Sequence, residues 1–210
     1  MHPYLTRLGV RVEVQQYFEP FYVSDEAGNL CFWYGEVYEH FGFGFHRVPL
    51  SSDLWLAGNL NFSQVRQVIV SGCALDAVSW LNKKAVYLSH TENLLFIATG
   101  AGLQTEHICW INEHLDGKAF CLIYGNGLLG SLASVKLAAG LRRMPLKIFI
   151  DGAERISVSF RSRNFSFSQD NFSLHAFEKA AKFRFGIRCD QPKDQPAFFD
   201  ELKAGAFLNF

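Results

Sequence analysis

The sequence predicts an α/β fold: a mostly parallel four-stranded sheet flanked by helices, with an α+β region before it and a β-hairpin and helices after it. Three observations carry this expectation. Between residues 65 and 150, short apolar runs alternate with amphipathic segments, and that alternation requires crossover connections between parallel strands. Apolar residues make up 49% of the 210-residue chain, enough to bury a sizeable core. No apolar stretch approaches the roughly 20 residues of a membrane-spanning helix.

Residues 1–63 read as the α+β region. Apolar residues over 4–18 are spaced for a short helix. Two strands follow, 21–24 and 30–34, joined by the turn formers Asp25-Glu26-Ala27-Gly28-Asn29. Glycine then alternates with aromatic residues over 41–48, a strand in which glycine permits a bulge. Core packing is the favoured reading of those rings over a stacking platform for nucleic acid.

Residues 64–152 read as the α/β core. Its strands are 67–70, 94–99, 119–124 and 146–150, and its helices are 75–82, 105–114 and 129–142. Residues 153–210 form an extension. Strands 155–160 and 164–168 make a hairpin about Arg161-Ser162-Arg163, and Ser173 caps a helix over 173–183. A polar loop over 190–196 precedes a closing helix, 198–203, and no internal repeat is present.

Charge is balanced, with 20 Lys and Arg against 20 Asp and Glu, which excludes a uniformly basic nucleic-acid binder. The balance hides a local excess: residues 142–188 carry ten Lys or Arg and four Asp or Glu. Such a segment attracts phosphate, or is simply a solvated mixed-charge surface. The five cysteines, Cys31, Cys73, Cys109, Cys121 and Cys189, include no C-x-x-C pair, which argues against a zinc ribbon and a disulfide framework. The start, Met1-His2-Pro3-Tyr4, lacks the features of a signal peptide, so a reducing cytoplasm is expected.

Three segments of the core, in order, resemble the toprim family, specifically the primase-like toprim proteins of bacterial mobile elements. Val68-Ile69-Val70-Ser71-Gly72-Cys73-Ala74-Leu75-Asp76-Ala77-Val78-Ser79 is similar to the family's strand–Glu-Gly–x–x–Asp-Ala-Leu-Ser–helix motif. Phe96-Ile97-Ala98-Thr99-Gly100-Ala101-Gly102 resembles its second strand and glycine turn. Leu122-Ile123-Tyr124-Gly125-Asn126-Gly127-Leu128-Leu129-Gly130 resembles the strand ending in Asp-Asn-Asp-x-Ala-Gly. Outside the core, residues 2–10 are similar to the segment preceding such domains, and Pro192-Lys193-Asp194 to a stretch that closes them.

In active members of that family the glutamate is a general acid or base, and the paired aspartates hold a divalent metal beside substrate phosphates. Here the glutamate position is Ser71, and the aspartate positions are Gly125 and Gly127. Only Asp76 and Asn126 remain as polar groups of the motifs, and a lone carboxylate at a helix start reads as a cap rather than a ligand. Asp151 follows the fourth strand with Glu154 close by, so Mg²⁺ is expected only if Asp76, Asp151 and Glu154 converge, and no other cofactor is expected. The seven histidines include no HExxH, and no G-x-S-x-G surrounds Ser71. Residues 125–130 echo G-x-G-x-x-G, but in the third strand–turn–helix unit rather than the first. Phosphate binding there is the lesser reading.

The resemblance implies a toprim-like, catalytically degenerate protein related to DNA primases. It would bind DNA, RNA or a partner protein in replication or mobilisation. The candidate nucleic-acid contacts are Arg142, Arg143, Arg155, Arg161, Arg163, Lys182, Arg184 and Arg188. Two alternatives stay open: a small-ligand protein using the glycine loop as a phosphate cradle, and a divergent metal-dependent nucleotidyl-transfer or hydrolytic enzyme.

Overall fold

The computed structural model describes residues 1–84, 90–151 and 155–207. The single helix expected over 4–18 is two, α1 (Pro3–Arg7) and α2 (Val12–Phe18). Gly9 separates them at φ +75, a left-handed conformation that glycine adopts without a Cβ penalty. The Gln15 side chain holds the corner, donating to Val10 O and accepting from His2 N–H.

Strands β1 (Val23–Ser24), β2 (Leu30–Tyr34), β3 (Val37–Gly42) and β4 (Phe45–Arg47) form an antiparallel sheet in that order. The strand expected over 41–48 is in fact a hairpin corner. Phe43 and Gly44 make the turn, Gly44 with φ +78, because Gly42 pairs with Phe45. Strand β5 (Trp55–Gly58) follows, too short for its residues to announce it in the sequence.

Next come β6 (Gln67–Ser71), α3 (Ala74–Lys84), β7 (Leu94–Ala98), α4 (Thr105–His114), β8 (Ala119–Leu122) and α5 (Leu128–Leu141), close to their expected places. Strands β9 (Leu146–Ile150), β10 (Arg155–Phe160) and β11 (Arg163–Ser168) then form a second antiparallel sheet. Helix α6 (Leu174–Ala181) starts where Ser173 accepts from Ala176 N–H, the cap the sequence predicts. A two-residue strand, β12 (Arg188–Cys189), and helix α7 (Phe198–Phe207) end the described chain.

The expected mostly parallel four-stranded core is corrected by the strand pairing. The protein is mixed α/β, with two antiparallel sheets and one mixed sheet in the order β12-β8-β6-β7-β5. In the mixed sheet β6 lies parallel to β7 and β8, β12 lies parallel to β8, and β5 closes the other edge antiparallel to β7. Leu146–Ile150, expected as the fourth core strand, instead pairs antiparallel with β10. A hairpin partner a few residues away costs far less loop closure than a crossover. Its burial also suits the hairpin: Leu146 and Ile148 are half-buried while Lys147 and Phe149 are exposed, whereas a parallel strand is covered on both faces. The place beside β8 goes to β12, where Asp190 N–H donates to Leu122 O and the Asp190 carboxylate receives Trp80 Nε1–H and Lys84 Nζ–H from α3.

Strand alternation sends side chains of the mixed sheet to two cores. Ile69, Phe96 and Cys121 join α2, α3 and the first sheet, while Val68, Val70, Leu95 and Ile97 pack with Ile111 and Leu115 of α4. Helix α5 is shared: Leu137 faces the second core, and Val135, Ala138 and Ala139 face a third, built with the second antiparallel sheet and α6. Phe177 of α6 is fully buried there, in ring contact with Phe160, Phe165, Phe167 and Phe185. Phe177→Ala is expected to destabilise the protein by about 3–5 kcal/mol in urea unfolding. Phe149→Ala, at a site 60% exposed, should stay within about 0.5 kcal/mol of the parent.

Candidate functional site

Because β6, β7 and β8 are parallel, their following loops meet at one sheet edge, the place where α/β proteins put ligands. A crevice of about 300 Å³ opens there, between Gly72, Gly100, Tyr124 and Gly125 on one side and Lys136 of α5 on the other. Ser71, Gly125, Asn126 and Gly127 lie around this edge, and all but Gly127 have a structural task. Ser71 is fully buried and donates to Cys73 O at 2.8 Å. Asn126 donates through Nδ2 to Gln195 O at 3.1 Å, and its own N–H bonds Pro196 O, so it pins the C-terminal loop. Gly125 packs so closely that a Cβ there would lie 2.5 Å from Pro196 O, while Gly127, at the start of α5, has open space.

Asp76 borders the crevice and is buried. It is a cap, as its position at a helix start suggests, but for a different helix: Oδ1 accepts Phe199 N–H at 2.9 Å, at the start of α7. Burial raises its carboxyl to about 6, with Glu39 and Asp200 adding to the rise and the Phe199 N–H opposing it. Asp151 follows β9 at the end of the second antiparallel sheet, where its Oδ1 accepts Arg155 N–H and its own N–H donates to Arg155 O. Glu154 lies outside the described residues. Asp76 and Asp151 thus belong to different layers and hold different backbone groups. Two three-donor clusters occur among the described residues, Asp25/Cys31/His40 and Glu39/His46/Cys73, and neither includes Asp76 or Asp151.

No sequence motif points to Glu39. It lies fully buried on β3 and accepts from Tyr34 Oη–H at 2.9 Å, Ala74 N–H at 2.6 Å and Leu75 N–H at 3.2 Å, with His46 Nε2 at 2.8 Å. The Ala74 and Leu75 N–H groups are orphan donors of α3's first turn, which a carboxylate satisfies in both hydrogen bonding and charge. A signal was present: alternation along β3 puts Glu39 on the same inward face as Phe41. Burial pushes both the Tyr34 phenol and the Cys73 thiol well up, and Glu39 adds to each rise.

The expected cations gather in part. The chain from Lys182 to Arg188 runs with Lys182, Arg184 and Arg188 exposed, while Phe183, Phe185 and Ile187 turn inward. Arg142 donates through Nε to Phe185 O at 2.7 Å, with Arg143 beside it at the end of α5. Arg161, at the β10–β11 turn, lies 4.2 Å over the Phe183 ring, and Arg163 lies over Phe165. Arg155 is left out, at the far end of β10, roughly 20 Å away by strand rise. Arg143, Arg161 and Lys182 have φ near +50, and the only other non-glycine residue so placed among those described is Ser162. A left-handed conformation costs a non-glycine residue about 1 kcal/mol.

Comparison of the chain with known protein families, with curated proteins and with solved structures finds no match.

Two measurements test this geometry. The raised carboxyl of Asp76 means that the folded protein holds a proton the unfolded chain releases, so its contribution to stability falls as pH rises from about 4 to 6 and levels off above. Asp76→Asn keeps an oxygen for Phe199 N–H and should gain about 1–3 kcal/mol in urea unfolding at pH 7.5, a gain that vanishes at pH 4. Gly127→Asp should be neutral within about 0.5 kcal/mol. Gly125→Asp should cost about 1–3 kcal/mol, because Pro196 must move, and equal Tm values for the two variants would refute the packing account.

Proposed function

We propose that the protein is a non-catalytic nucleic-acid-binding module, and that the rim made by the β10–β11 turn, the end of α5 and residues 182–188 is its contact surface. The single observation carrying this is the set of seven cations there, Arg142, Arg143, Arg161, Arg163, Lys182, Arg184 and Arg188. None is in an ion pair among the described residues. Cations elsewhere, such as Arg7, Arg11 and Arg66, are also outside any ion pair among the described residues, so the clustering of these seven is what marks the rim. Unpaired cations on one rim suit a phosphate backbone, where each contact releases a condensed counterion.

The resemblance of three segments to primase-related toprim proteins supports a place in DNA replication or mobilisation. The substitution of Ser71, Gly125 and Gly127 for the acids supports binding without that family's metal chemistry. A cytoplasmic location is supported by five free cysteines, of which Cys109 and Cys189 are exposed. No helix among the described residues is long and apolar enough to cross a membrane.

Fluorescence anisotropy with short single- and double-stranded DNA and RNA, at two salt concentrations, tests the rim. Arg161→Ala/Arg163→Ala is expected to weaken binding about tenfold or more and to reduce the log–log salt slope by about 2. Binding unchanged by the pair would remove the rim as the interface. Binding that requires Mg²⁺ or Mn²⁺ would contradict a metal-independent module.

A further inference from the structure

A second cavity, of about 780 Å³, lies at the β3–β4 hairpin between α1 and α7. It draws its walls from three parts of the chain that are distant in sequence. Its apolar surface is mainly rings: Tyr4, Phe41, Phe43, Phe45 and Phe199. Phe43 is 78% exposed and Phe45 37%, so these rings face the cavity and solvent rather than a filled core. Phe41 and His46 both stand edge-on to Phe199, with centroids 5.2 Å away.

Three nitrogen-bearing side chains also line it. Arg7 is exposed and has no ion pair among the described residues. Lys203 lies 4.6 Å over the Phe199 ring and shares a 2.7 Å pair with Asp200. His46 is fixed through Nε2 by the buried Glu39, which leaves Nδ1 as the ring nitrogen available to a ligand. The volume falls within the usual range for a small-molecule site, and a few polar groups converging on an apolar pocket is the usual layout of one.

The geometry points to a nucleoside 5′-monophosphate as the ligand of this cavity. Aromatic walls favour a planar group that stacks over a flexible aliphatic chain. Arg7, which has no ion pair among the described residues, favours an anion at the mouth and presents a planar fork matched to phosphate oxygens. The base lies against the exposed rings of Phe43 and Phe45, the phosphate meets Arg7, and His46 Nδ1 bonds the ligand between them. This site is separate from the cationic rim and does not depend on it, since the two share no residue.

Calorimetric titration and thermal unfolding of the full chain test the assignment, with the four ribonucleoside monophosphates, adenosine, inorganic phosphate and decanoate as probes. At least one monophosphate is expected to bind and to raise Tm, with adenosine and phosphate each at least about tenfold weaker. Arg7→Ala should weaken the monophosphate about tenfold while leaving adenosine unchanged, and Phe45→Ala should weaken both. Both positions are solvent-accessible, so far-UV circular dichroism should match the parent. The assignment is overturned if no monophosphate binds, if decanoate binds more tightly, or if Arg7→Ala leaves the monophosphate affinity unchanged. Arg161→Ala/Arg163→Ala should leave monophosphate binding intact; its loss would move the ligand to the rim and overturn the pocket.

Discussion

A carboxylate taken wholly out of water is costly unless hydrogen bonds replace its hydration, and Glu39 meets that condition from three directions. Tyr34 and His46 hold it from the strands on either side of β3, and the first turn of α3 supplies two backbone donors. This one group therefore couples the N-terminal sheet to the helix that follows the central strand β6. Asp76, a few residues further along α3, extends the tie to α7 by accepting Phe199 N–H. Two buried acids in sequence thus bind the N-terminal sheet, α3 and the C-terminal helix into one body. The aromatic cavity between α1, the β3–β4 hairpin and α7 exists because those elements are held at that spacing.

The same packing accounts for the character of the sheet edge. Gly125 faces the carbonyl of Pro196, and Gly130 lies against the Gly125 backbone, so neither position has room for a side chain. Asn126 fastens the C-terminal loop over this turn. Backbone proximity at this turn seats the C-terminal segment. The cationic rim and the pocket beside His46 lie away from this edge.

Much of the local structure was legible. Hydrophobic period located β6, α3, β7, α4, β8, α5 and the β10–β11 hairpin close to their observed ranges, and side-chain chemistry identified Ser173 as a cap. Asp76 was expected to cap its own helix, but it accepts a backbone N–H from a helix 123 residues away, while Glu39 takes the α3 donors. The misreadings share one cause. Leu146–Ile150 has strand character that says nothing of its partner, and a local hairpin with β10 won over a crossover to β8. The pairing of β5 and β12 with the central sheet was likewise invisible, since two to four residues carry no readable period.

By itself, then, the sequence located most of the helices and strands and showed that its cysteines are not arranged for a zinc ribbon. These follow from side-chain periodicity and chemical identity, which are local properties. Tertiary structure alone decided the sheet partners, the burial of Glu39, the partial gathering of cations that leaves Arg155 outside, and the convergence of Arg7, His46 and Lys203 on one cavity. Each of these depends on contacts between residues far apart in the chain, where the burial of apolar faces, not local propensity, sets the arrangement.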